Sequence, residues 1–493
     1  MHVLFFGGFA RTPHIEADLE LMQRHLDAGD DVTILRCHGE MVACTNNLRG
    51  YASVCSQCRG RYADALSRLT KRERFRERPF LQLTADDRAA LRALPKVFAS
   101  SDELRALRLG EFDLGTAALS SLIAEVRDPE PDLAHHADLV RRLLVTAAAV
   151  YRSVQNQLRE RPAQLAYVFN GRVAESRAFM RACQHAGIRC AVHERGWRPD
   201  VFSVFPDDLP HNYEYLGRLI AQWWDDAADT DPQRERIGAE YYEQRFAGKS
   251  SGGVHYIGRQ QDGVLPDGFD ASRHNVVIYN SSEYEYAAIA DAQRISMYPT
   301  QQDAITRISA DLARLHEGAH LWVRVHPHLV GDDNRQTRFM RTFTAPRTTV
   351  IPAESPVCSY TLMKACQRVV SFGSTTGIEA VYHGVPSILA APANYGSLGG
   401  NAQPQSHDEL IQMLVGPLEP GPREAALKYG YFFKTFGDAW QHFAPRGYFK
   451  GSYDGRPIAE SRASRVRTRV YKMLPGVVKR AMRARRLARL LRG

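Results

Sequence analysis

The sequence predicts an α/β chain of two domains, each built on a parallel β-sheet. Residues 2–6 form an apolar run, a helical pattern follows, and residues 32–35 form a second apolar run, which is the order of a βαβ unit. A second series of strand, short turn, helix and strand occupies residues 368–390. Because 493 residues exceed one ordinary core, we assign each series to a domain of its own.

Composition indicates a globular protein that carries a basic tail. The chain is 44% hydrophobic and 24% charged. Its net charge is +9, but residues 461–493 hold twelve Lys or Arg and no acid, which leaves −3 for the rest (+9 less 12). A uniformly basic face for nucleic acid is therefore not predicted. No apolar run reaches about 18 residues and residues 1–8 lack the features of a signal peptide, so we expect a cytoplasmic protein without a transmembrane helix.

The first domain is expected over residues 1–215. Its sheet would take the runs at 2–6, 32–35, 165–169 and 190–193. The first helix runs from about residue 15 to residue 28, with Ile15, Leu19, Met22 and Leu26 at helical spacing. Residues 59–163 interrupt the series with mostly helical sequence, so we predict a helical insertion in this domain.

Three segments complete the chain. Residues 216–270 are predicted to hold a connecting helix and a polar linker with glycines at 248, 252 and 253. The second domain is expected over residues 271–445 and ends in an aromatic-rich helix, which either returns to the first domain or packs on its own. Residues 446–493 form a basic amphipathic tail, which Pro475-Gly476 breaks into two helical pieces.

Polar side chains follow two strands of the predicted second sheet. Arg324 and His326 end the run at 321–325, and Gly-Ser-Thr-Thr-Gly at 373–377 follows the run at 368–372. Ligands of open α/β sheets collect at the carboxyl ends of strands, and a helix N-terminus offers free N–H groups to an anion. The pattern therefore predicts a phosphate site, with simple helix capping by Ser and Thr as the plainer alternative.

These residues resemble a known enzyme class. Arg-x-His-Pro at 324–327, Ser-Phe-Gly-Ser-Thr-Thr-Gly-Ile-Glu-Ala at 371–380 and the following Gly-x-Pro look like the C-terminal half of GT-B glycosyltransferases of bacterial capsule and surface-polysaccharide synthesis. Related patterns occur in teichoic-acid polymerases. The resemblance is close over residues 271–400 and looser before them. It implies two Rossmann-like domains that face a cleft, of which the second binds a nucleotide-activated donor.

The resemblance also implies roles for single residues. His326, Ser374, Thr375 and Thr376 would face the donor phosphate, together with Arg324. Glu379 would contact a ribose hydroxyl or another part of the nucleotide. No metal is required in this interpretation, because preorganised hydrogen-bond donors stabilise the charge that develops on the leaving phosphate.

The catalytic base is expected at the first βα junction. An inverting transfer needs a group that accepts the proton of the acceptor hydroxyl, and His14 or Glu16 would supply it. The alternative is that both are solvated residues of a first helical turn. Arg172, Glu194 and Arg195 follow two further predicted strands and are second-rank candidates for cleft contacts.

Four cysteines cluster in the first domain. Cys37, Cys44, Cys55 and Cys58 lie within 22 positions, and the last two form a Cys-x-x-Cys pair, the usual half of a tetrahedral zinc site. The first pair has a wider spacing than is usual, and His38 is a substitute ligand. We take the four as candidate ligands of a structural zinc ion, with reduced thiols that simply pack as the alternative.

The basic tail and the resemblance together predict where the protein is located in the cell. A basic amphipathic segment is attracted to anionic lipid, so we expect a peripheral protein on the inner face of the cytoplasmic membrane. A solvated or RNA-binding tail is the alternative. The predicted function is transfer of a sugar from a nucleotide donor to a surface polysaccharide or a lipid-linked glycan. A polyol-phosphate transferase, a non-catalytic nucleotide- or glycan-binding adaptor at the membrane, and a nucleotide-sugar epimerase are the alternatives.

Overall fold

A computed structural model describes residues 1–206, 208–248, 260–289 and 297–492. The chain divides into two compact units. Unit 1 comprises Met1–Val126, Glu130–Pro210 and Gly437–Gly493, and unit 2 comprises Arg127–Pro129 and His211–Phe436. The predicted connecting segment, 216–270, thus belongs to unit 2, and the predicted tail belongs to unit 1. Gly252 and Gly253 of the predicted linker lie outside the described residues.

Unit 1 begins with the predicted βαβ unit. Strand β1 (His2–Gly7), helix α1 (His14–Asp27) and strand β2 (Asp31–Arg36) follow one another, and β1 pairs in parallel with β2. The four apolar residues at helical spacing in α1 are fully buried and share one core cluster with Val3 and Phe5 of β1. This apolar stripe explains why the segment is a helix that covers the sheet.

The insertion is mostly helical, as expected, but it also adds a strand. It contains α2 (Ala52–Leu66), β3 (Phe75–Pro79), α3 (Ala85–Ala93), α4 (Ser101–Ala106), α5 (Leu114–Val126) and α6 (Ala137–Glu160). Strand β3 pairs in parallel with β2 at the sheet edge. Its sequence, Phe-Arg-Glu-Arg-Pro, carries no apolar alternation, because a charged edge strand needs only backbone pairing on one side.

Three more strands extend the unit 1 sheet. They are β4 (Leu165–Phe169), β5 (Arg189–Arg195) and β6 (Val201–Phe205), with helix α7 (Ala174–His185) between the first two. Strand β4 lies between β1 and β5 and is parallel to both, whereas β6 is antiparallel to β5. The carboxyl ends of β1, β4 and β5 therefore lie at one edge of the sheet.

Unit 2 is built on a second, entirely parallel sheet. Its elements are α8 (Tyr213–Asp225), α9 (Asp231–Phe246), β7 (His274–Tyr279), α10 (Glu283–Ala287), α11 (Gln301–Leu315), β8 (Ala319–Arg324), α12 (Arg335–Thr342), β9 (Thr348–Ile351), α13 (Ser359–Ala365), β10 (Arg368–Ser371), α14 (Thr376–Tyr382), β11 (Ser387–Leu389), α15 (His407–Val415) and α16 (Arg423–Thr435). The strand order is β11-β10-β7-β8-β9. Strand β7 lies centrally, and its apolar residues Val276, Val277 and Ile278 are completely buried, as continuous apolar strands of parallel sheets are.

The aromatic-rich helix α16 packs on α9 within unit 2. The chain joins unit 1 from Gly437 onwards. There β12 (Asp438–Ala439) pairs with β6, and β13 (Phe443–Pro445) pairs with β14 (Gly451–Tyr453). The last two helices, α17 (Arg462–Met473) and α18 (Gly476–Arg492), pack on α2 and α3.

The predicted α/β fold class is confirmed: the chain has two Rossmann-like units, a largely helical insertion in the first and a basic helical tail. Within the described residues, no helix combines the length and the apolarity that crossing a membrane requires.

Candidate functional site

The carboxyl edge of the unit 2 sheet gathers the predicted donor-site residues. Tyr279 at the end of β7 is paired with Ser371 of β10 on one side and with Arg324 of β8 on the other. The loops that follow these three strands consequently start side by side. They carry Asn280 and Ser281 after β7, His326 after β8, and the Gly373–Gly377 turn after β10.

His326 is held in one orientation by two hydrogen bonds. Its backbone N–H donates to Asn280 Oδ1 at 2.7 Å, and its Nδ1 accepts from the backbone N–H of His328 at 3.1 Å. Burial, together with the neighbouring His328 and Arg324, lowers the pKa of His326 to about 4. The imidazole is therefore neutral at neutral pH and, because Nδ1 accepts, its proton lies on Nε2.

The Ser-Thr turn is rigid and tightly packed. Gly373 has φ +79°, and a Cβ atom there would lie 2.0 Å from the Tyr286 hydroxyl. The carbonyl of Ser374 accepts from the hydroxyls of Ser371 and Tyr395, and the Thr376 hydroxyl donates to Ser374 Oγ at 2.9 Å. Thr375 is the N-cap residue of α14, which has only seven residues. The structure thus brings Ser374, Thr375 and Thr376 to the same sheet edge as His326.

Arg324 is placed differently from the expected phosphate contact, which stays a prediction. Its side chain is 1% exposed, and its guanidinium donates to the backbone carbonyls of Pro352, Val325 and Ser355. Its Nε is buried and has no hydrogen-bond partner within the described residues. The residue therefore ties the end of β8 to the chain that follows β9, which is a structural role.

Glu379 is also placed differently from the expected nucleotide contact. It is 1% exposed, and Arg245 of α9 donates to its Oε1 at 2.8 Å. Its Oε2 is buried, and none of the described residues forms a hydrogen bond with it. In this arrangement the carboxylate joins α14 to α9 in the interior of unit 2.

A second polar network beside His326 was missed by the sequence reasoning. His328 Nε2 lies 2.7 Å from the Tyr284 hydroxyl and 2.6 Å from Arg127 Nη2, and Arg127 Nη1 lies 2.8 Å from Asp332 Oδ1. The second histidine of His-Pro-His was the available signal. Arg127 stands in the helical insertion of the sequence, so nothing in its neighbourhood links it to a site about 200 residues later.

The corresponding edge of unit 1 gathers the predicted base candidates. His14 begins α1 after β1, Asn170 and Arg172 follow β4, and Glu194 and Arg195 end β5. These strands are adjacent and parallel, so the residues lie at one edge of the sheet.

His14 is a buried imidazole between two phenylalanine rings. Its ring centroid lies 5.4 Å from that of Phe9 and 4.1 Å from that of Phe169. Burial, followed by the fields of His193, Arg195 and Arg11, holds the pKa of His14 well below its usual range. Its Nδ1 makes no hydrogen bond within the described residues. The side chain is therefore a buried, neutral imidazole at neutral pH, and the alternative of a solvated first-turn residue does not apply to it.

Glu16 is less available than His14. The carboxylate accepts from the Thr12 hydroxyl at 2.8 Å and lies 3.5 Å from Arg61 Nη2. Burial raises its pKa despite these partners. Glu16 is thus partly engaged in holding the loop before α1.

A buried Asp–His pair next to His14 was also missed. Asp18 Oδ1 lies 2.9 Å from His193 Nε2, and the Tyr62 hydroxyl donates to Asp18 Oδ2 at 3.2 Å. Both members of the pair are almost inaccessible to solvent. His14 and Asp18 are four residues apart on one helix, which places them on one face and was the available signal.

The second-rank candidates have defined partners. Asn170 Nδ2 donates to Glu194 Oε1 at 2.7 Å, and burial raises the pKa of Glu194. The Arg195 guanidinium lies over the rings of Tyr448 and Phe449, at 5.2 Å and 5.6 Å. Arg172 Nη1 donates to Ser120 Oγ at 3.4 Å.

The four clustered cysteines line one cavity of about 20 Å³ in unit 1. All four are free thiols. Burial raises the pKa of Cys58 to about 12, and it also raises the pKa values of Cys37 and Cys44. In the part of the chain that the structure describes, no three His, Cys, Asp or Glu side chains stand in a metal-holding arrangement. The zinc site stays a prediction.

Each of the two Rossmann-like units thus has polar side chains at the carboxyl ends of parallel strands, where open α/β sheets bind ligands. No family model and no curated protein matches it. Solved structures are only distantly similar, and three of them follow. KpsC of Thermosulfurimonas dismutans, a beta Kdo 2,4 transferase, is 14% identical with a TM-score of 0.37 over 60% of this chain and 84% of that chain. KpsC of the same organism as beta Kdo 2,7 transferase is 12% identical with a TM-score of 0.34 over 65% and 89%. The UDP-GlcNAc 2-epimerase of Neisseria meningitidis, bound to UDP-GlcNAc, is 12% identical with a TM-score of 0.28 over 87% and 98%. Similarity at this level assigns no activity.

Proposed function

We propose that the chain is a glycosyltransferase that moves a sugar from a nucleotide-activated donor to a surface polysaccharide or a lipid-linked glycan. The observation that carries the proposal is the grouping of His326, Asn280 and the Ser374–Thr376 turn at the carboxyl edge of the unit 2 sheet. That edge is where open α/β sheets bind ligands, and its groups are hydrogen-bond donors suited to a phosphate.

On the donor side, His326 would act as a neutral donor. Its Nε2–H would point to a phosphate oxygen while the Ser374 and Thr375 hydroxyls donate to others, so that negative charge is stabilised as the sugar–phosphate bond breaks. No protein-held metal takes part in this proposal. Arg324, which donates to backbone carbonyls, has no role in the proposed phosphate site.

On the acceptor side, His14 would be the base. Burial keeps its imidazole neutral at neutral pH, so the ring has one nitrogen that can accept the proton of an acceptor hydroxyl as the new bond forms. Glu16 is the second candidate, and its hydrogen bond with Thr12 counts against it. The buried Asp18–His193 pair would fix the surroundings of His14.

A thermal-shift panel of UDP, GDP, CMP and CDP tests the donor site. A nucleotide that binds the folded state at 100 times its Kd stabilises it by about 2.7 kcal/mol, which raises Tm. We expect one nucleotide to raise the Tm of the wild type and not that of His326→Ala. His320→Ala, at the opposite end of the same strand, is the matched control and should keep the response. Failure of all four nucleotides at millimolar concentration would leave the adaptor alternative.

Substrate panels separate the enzyme alternatives. Labelled nucleotide sugars with a glycan acceptor should give transfer, whereas a polyol-phosphate transferase would use labelled CDP-polyols instead. An epimerase would convert the donor without any acceptor, and an adaptor would leave every donor intact.

The tail helices support a place for this reaction at an anionic membrane. Val466, Val470 and Met473 are spaced by four and three residues, which puts them on one face of α17, and they are 59%, 51% and 77% exposed. Val477 and Val478 of α18 are 63% and 38% exposed. Twelve cations and no acid accompany them between Ser461 and the C-terminus. Each cation near an anionic surface contributes about 1 kcal/mol, and the apolar side chains can enter the interface.

Vesicle co-sedimentation tests the tail. The wild type should bind phosphatidylserine-containing vesicles and not phosphatidylcholine vesicles, and Val470→Asp/Met473→Asp should release it. Val97→Asp is the matched control, because Val97 is an 81% exposed apolar residue elsewhere in unit 1. Equal binding of both variants would exclude insertion of this face into the membrane.

A further inference from the structure

The cysteine cavity lies where three segments of unit 1 meet. Cys37 follows β2, and Cys44 lies in the loop after it. Cys55 and Cys58 lie three residues apart in α2. At about 20 Å³ the cavity has room for one occupant of the size of a water molecule or a single ion. Four cysteine side chains line this small space, and thiolates are the ligands that soft metal ions prefer.

Hydrogen bonds from N–H groups reach two of the sulfurs. The backbone N–H of Gly39 donates to Cys37 Sγ at 3.3 Å. Asn47 Nδ2 donates to Cys55 Sγ at 3.2 Å, and Arg486 Nη2 donates to the same atom at 3.5 Å. Such donors favour a charged sulfur over a neutral one, and outer-shell bonds of this kind are typical of metal-bound thiolates.

Cations surround the cavity. Arg36 and Arg61 lie close enough to Cys58 for their fields to act on its thiol, and Arg486 contacts Cys55 directly. An ion bound by four thiolates carries a net charge of about −2. These three guanidinium groups would offset part of that charge, against the opposing fields of Glu40 on Cys37 and of Glu175 on Cys44.

We propose that this cavity binds one zinc ion through Cys37, Cys44, Cys55 and Cys58. The ion replaces the four thiol protons, which leave to solvent, and forms four Zn–S bonds with no change of oxidation state. Binding has to turn the thiols towards a common centre, since among the described side chains no three stand as ligands. The proposal is independent of the transferase activity.

The same site would anchor the C-terminal helices. Arg486 of α18 donates to the carbonyls of Gly39, Met41 and Gly50, in addition to Cys55 Sγ. The segment between Cys37 and Cys58 thus holds α18 through the hydrogen bonds of Arg486. A bound ion that fixes this segment would also fix the tail, so metal and tail should be coupled.

Metal analysis of the purified full-length chain tests the proposal. We expect about one zinc per chain after growth in zinc-containing medium. Cobalt added to the chelator-treated protein should give the intense sulfur-to-metal absorption of a tetrahedral thiolate site. Cys55→Ser/Cys58→Ser should lose both signals, whereas Cys183→Ser and Cys366→Ser, which change cysteines outside the cluster, should keep them.

A milder variant protects the test against misfolding. Arg486→Ala leaves every proposed ligand in place and should weaken zinc affinity about tenfold or more, as loss of an outer-shell partner does. It should also raise the rate of proteolysis within α18. Zinc below one tenth per chain together with no cobalt spectrum in the folded wild type, or a disulfide among the four cysteines, would overturn the proposal.

Discussion

Arg245 and Glu379 form a buried ion pair within unit 2, which gives the Glu379 carboxylate a structural partner. The structure assigns the carboxylate to stability, whereas the sequence resemblance assigns it to the nucleotide. The two atoms Arg245 Nε and Glu379 Oε1 are 2.8 Å apart, and the two side chains are 14% and 1% exposed. Replacing Arg245 by Ala would leave a carboxylate buried without a counter-charge.

The expected cost is large. Breaking a buried pair by removal of one partner costs about 3–5 kcal/mol. In a unit of this size, 1 kcal/mol corresponds to about 2–4 °C in Tm, so Arg245→Ala should lower Tm by roughly 6–20 °C. Differential scanning calorimetry of the full chain measures the shift. Arg245→Met/Glu379→Leu should recover much of it, because apolar side chains of similar volume replace buried ion pairs at little cost.

Arg236→Ala is the matched control on the same helix. Arg236 pairs with Glu240 at the surface, where its side chain is 63% exposed, and such pairs contribute about 1 kcal/mol at most. Calorimetry should therefore find its Tm close to that of the wild type. If Arg245→Ala and Glu379→Gln both keep the wild-type Tm while nucleotide affinity falls, Glu379 is a nucleotide contact and the structural argument fails.

Three further predictions concern the two sheet edges. His14→Phe should keep Tm, since its ring would lie among aromatic side chains, but should lower transfer by about 100-fold or more; retained transfer would exclude His14 as the base. Protonation of His326 disfavours the folded state, because its pKa of about 4 lies below the unfolded value near 6.5. The stability advantage of the wild type over His326→Asn should thus be full above pH 6.5 and be lost as the pH falls towards 4, as urea unfolding would measure. Gly373→Ala should lower Tm more than Gly331→Ala: both have positive φ, but only the first places a Cβ 2.0 Å from Tyr286 Oη, whereas Gly331 faces open space.

The strands and helices of both sheets could be predicted from local patterns. Ile15, Leu19, Met22 and Leu26 define α1, and the predicted bounds of β4 at 165–169 match the structure. These elements bury apolar stripes, so their sequences record their environment. Strand β3 could not be found in this way, because its pairing at the sheet edge depends on backbone groups that every residue has.

The direction of a side chain at a strand end is harder to predict than the strand. Arg324 and His326 are two residues apart, and both were expected at the phosphate. Only His326 lies in the loop beyond the strand; the Arg324 side chain instead runs to the carbonyls of residues 352 and 355, on a segment about 30 positions later. Glu379 likewise meets a partner 134 positions away. Partners that distant leave no trace in the local sequence, which is why these two roles were missed.

The two candidate histidines illustrate how one physical cause gives two roles. Burial lowers the pKa of His14 and of His326, so both imidazoles are neutral at neutral pH and each has one nitrogen that donates and one that accepts. In His326 the Nδ1 accepts from the N–H of His328, so the proton of the neutral ring lies on Nε2. In His14 the Nδ1 is buried and has no hydrogen-bond partner among the described residues, so no backbone bond fixes which nitrogen of that ring carries the proton. Under our proposal, the ring of His326, with its proton on Nε2, suits a phosphate oxygen, and the neutral ring of His14 suits a proton acceptor.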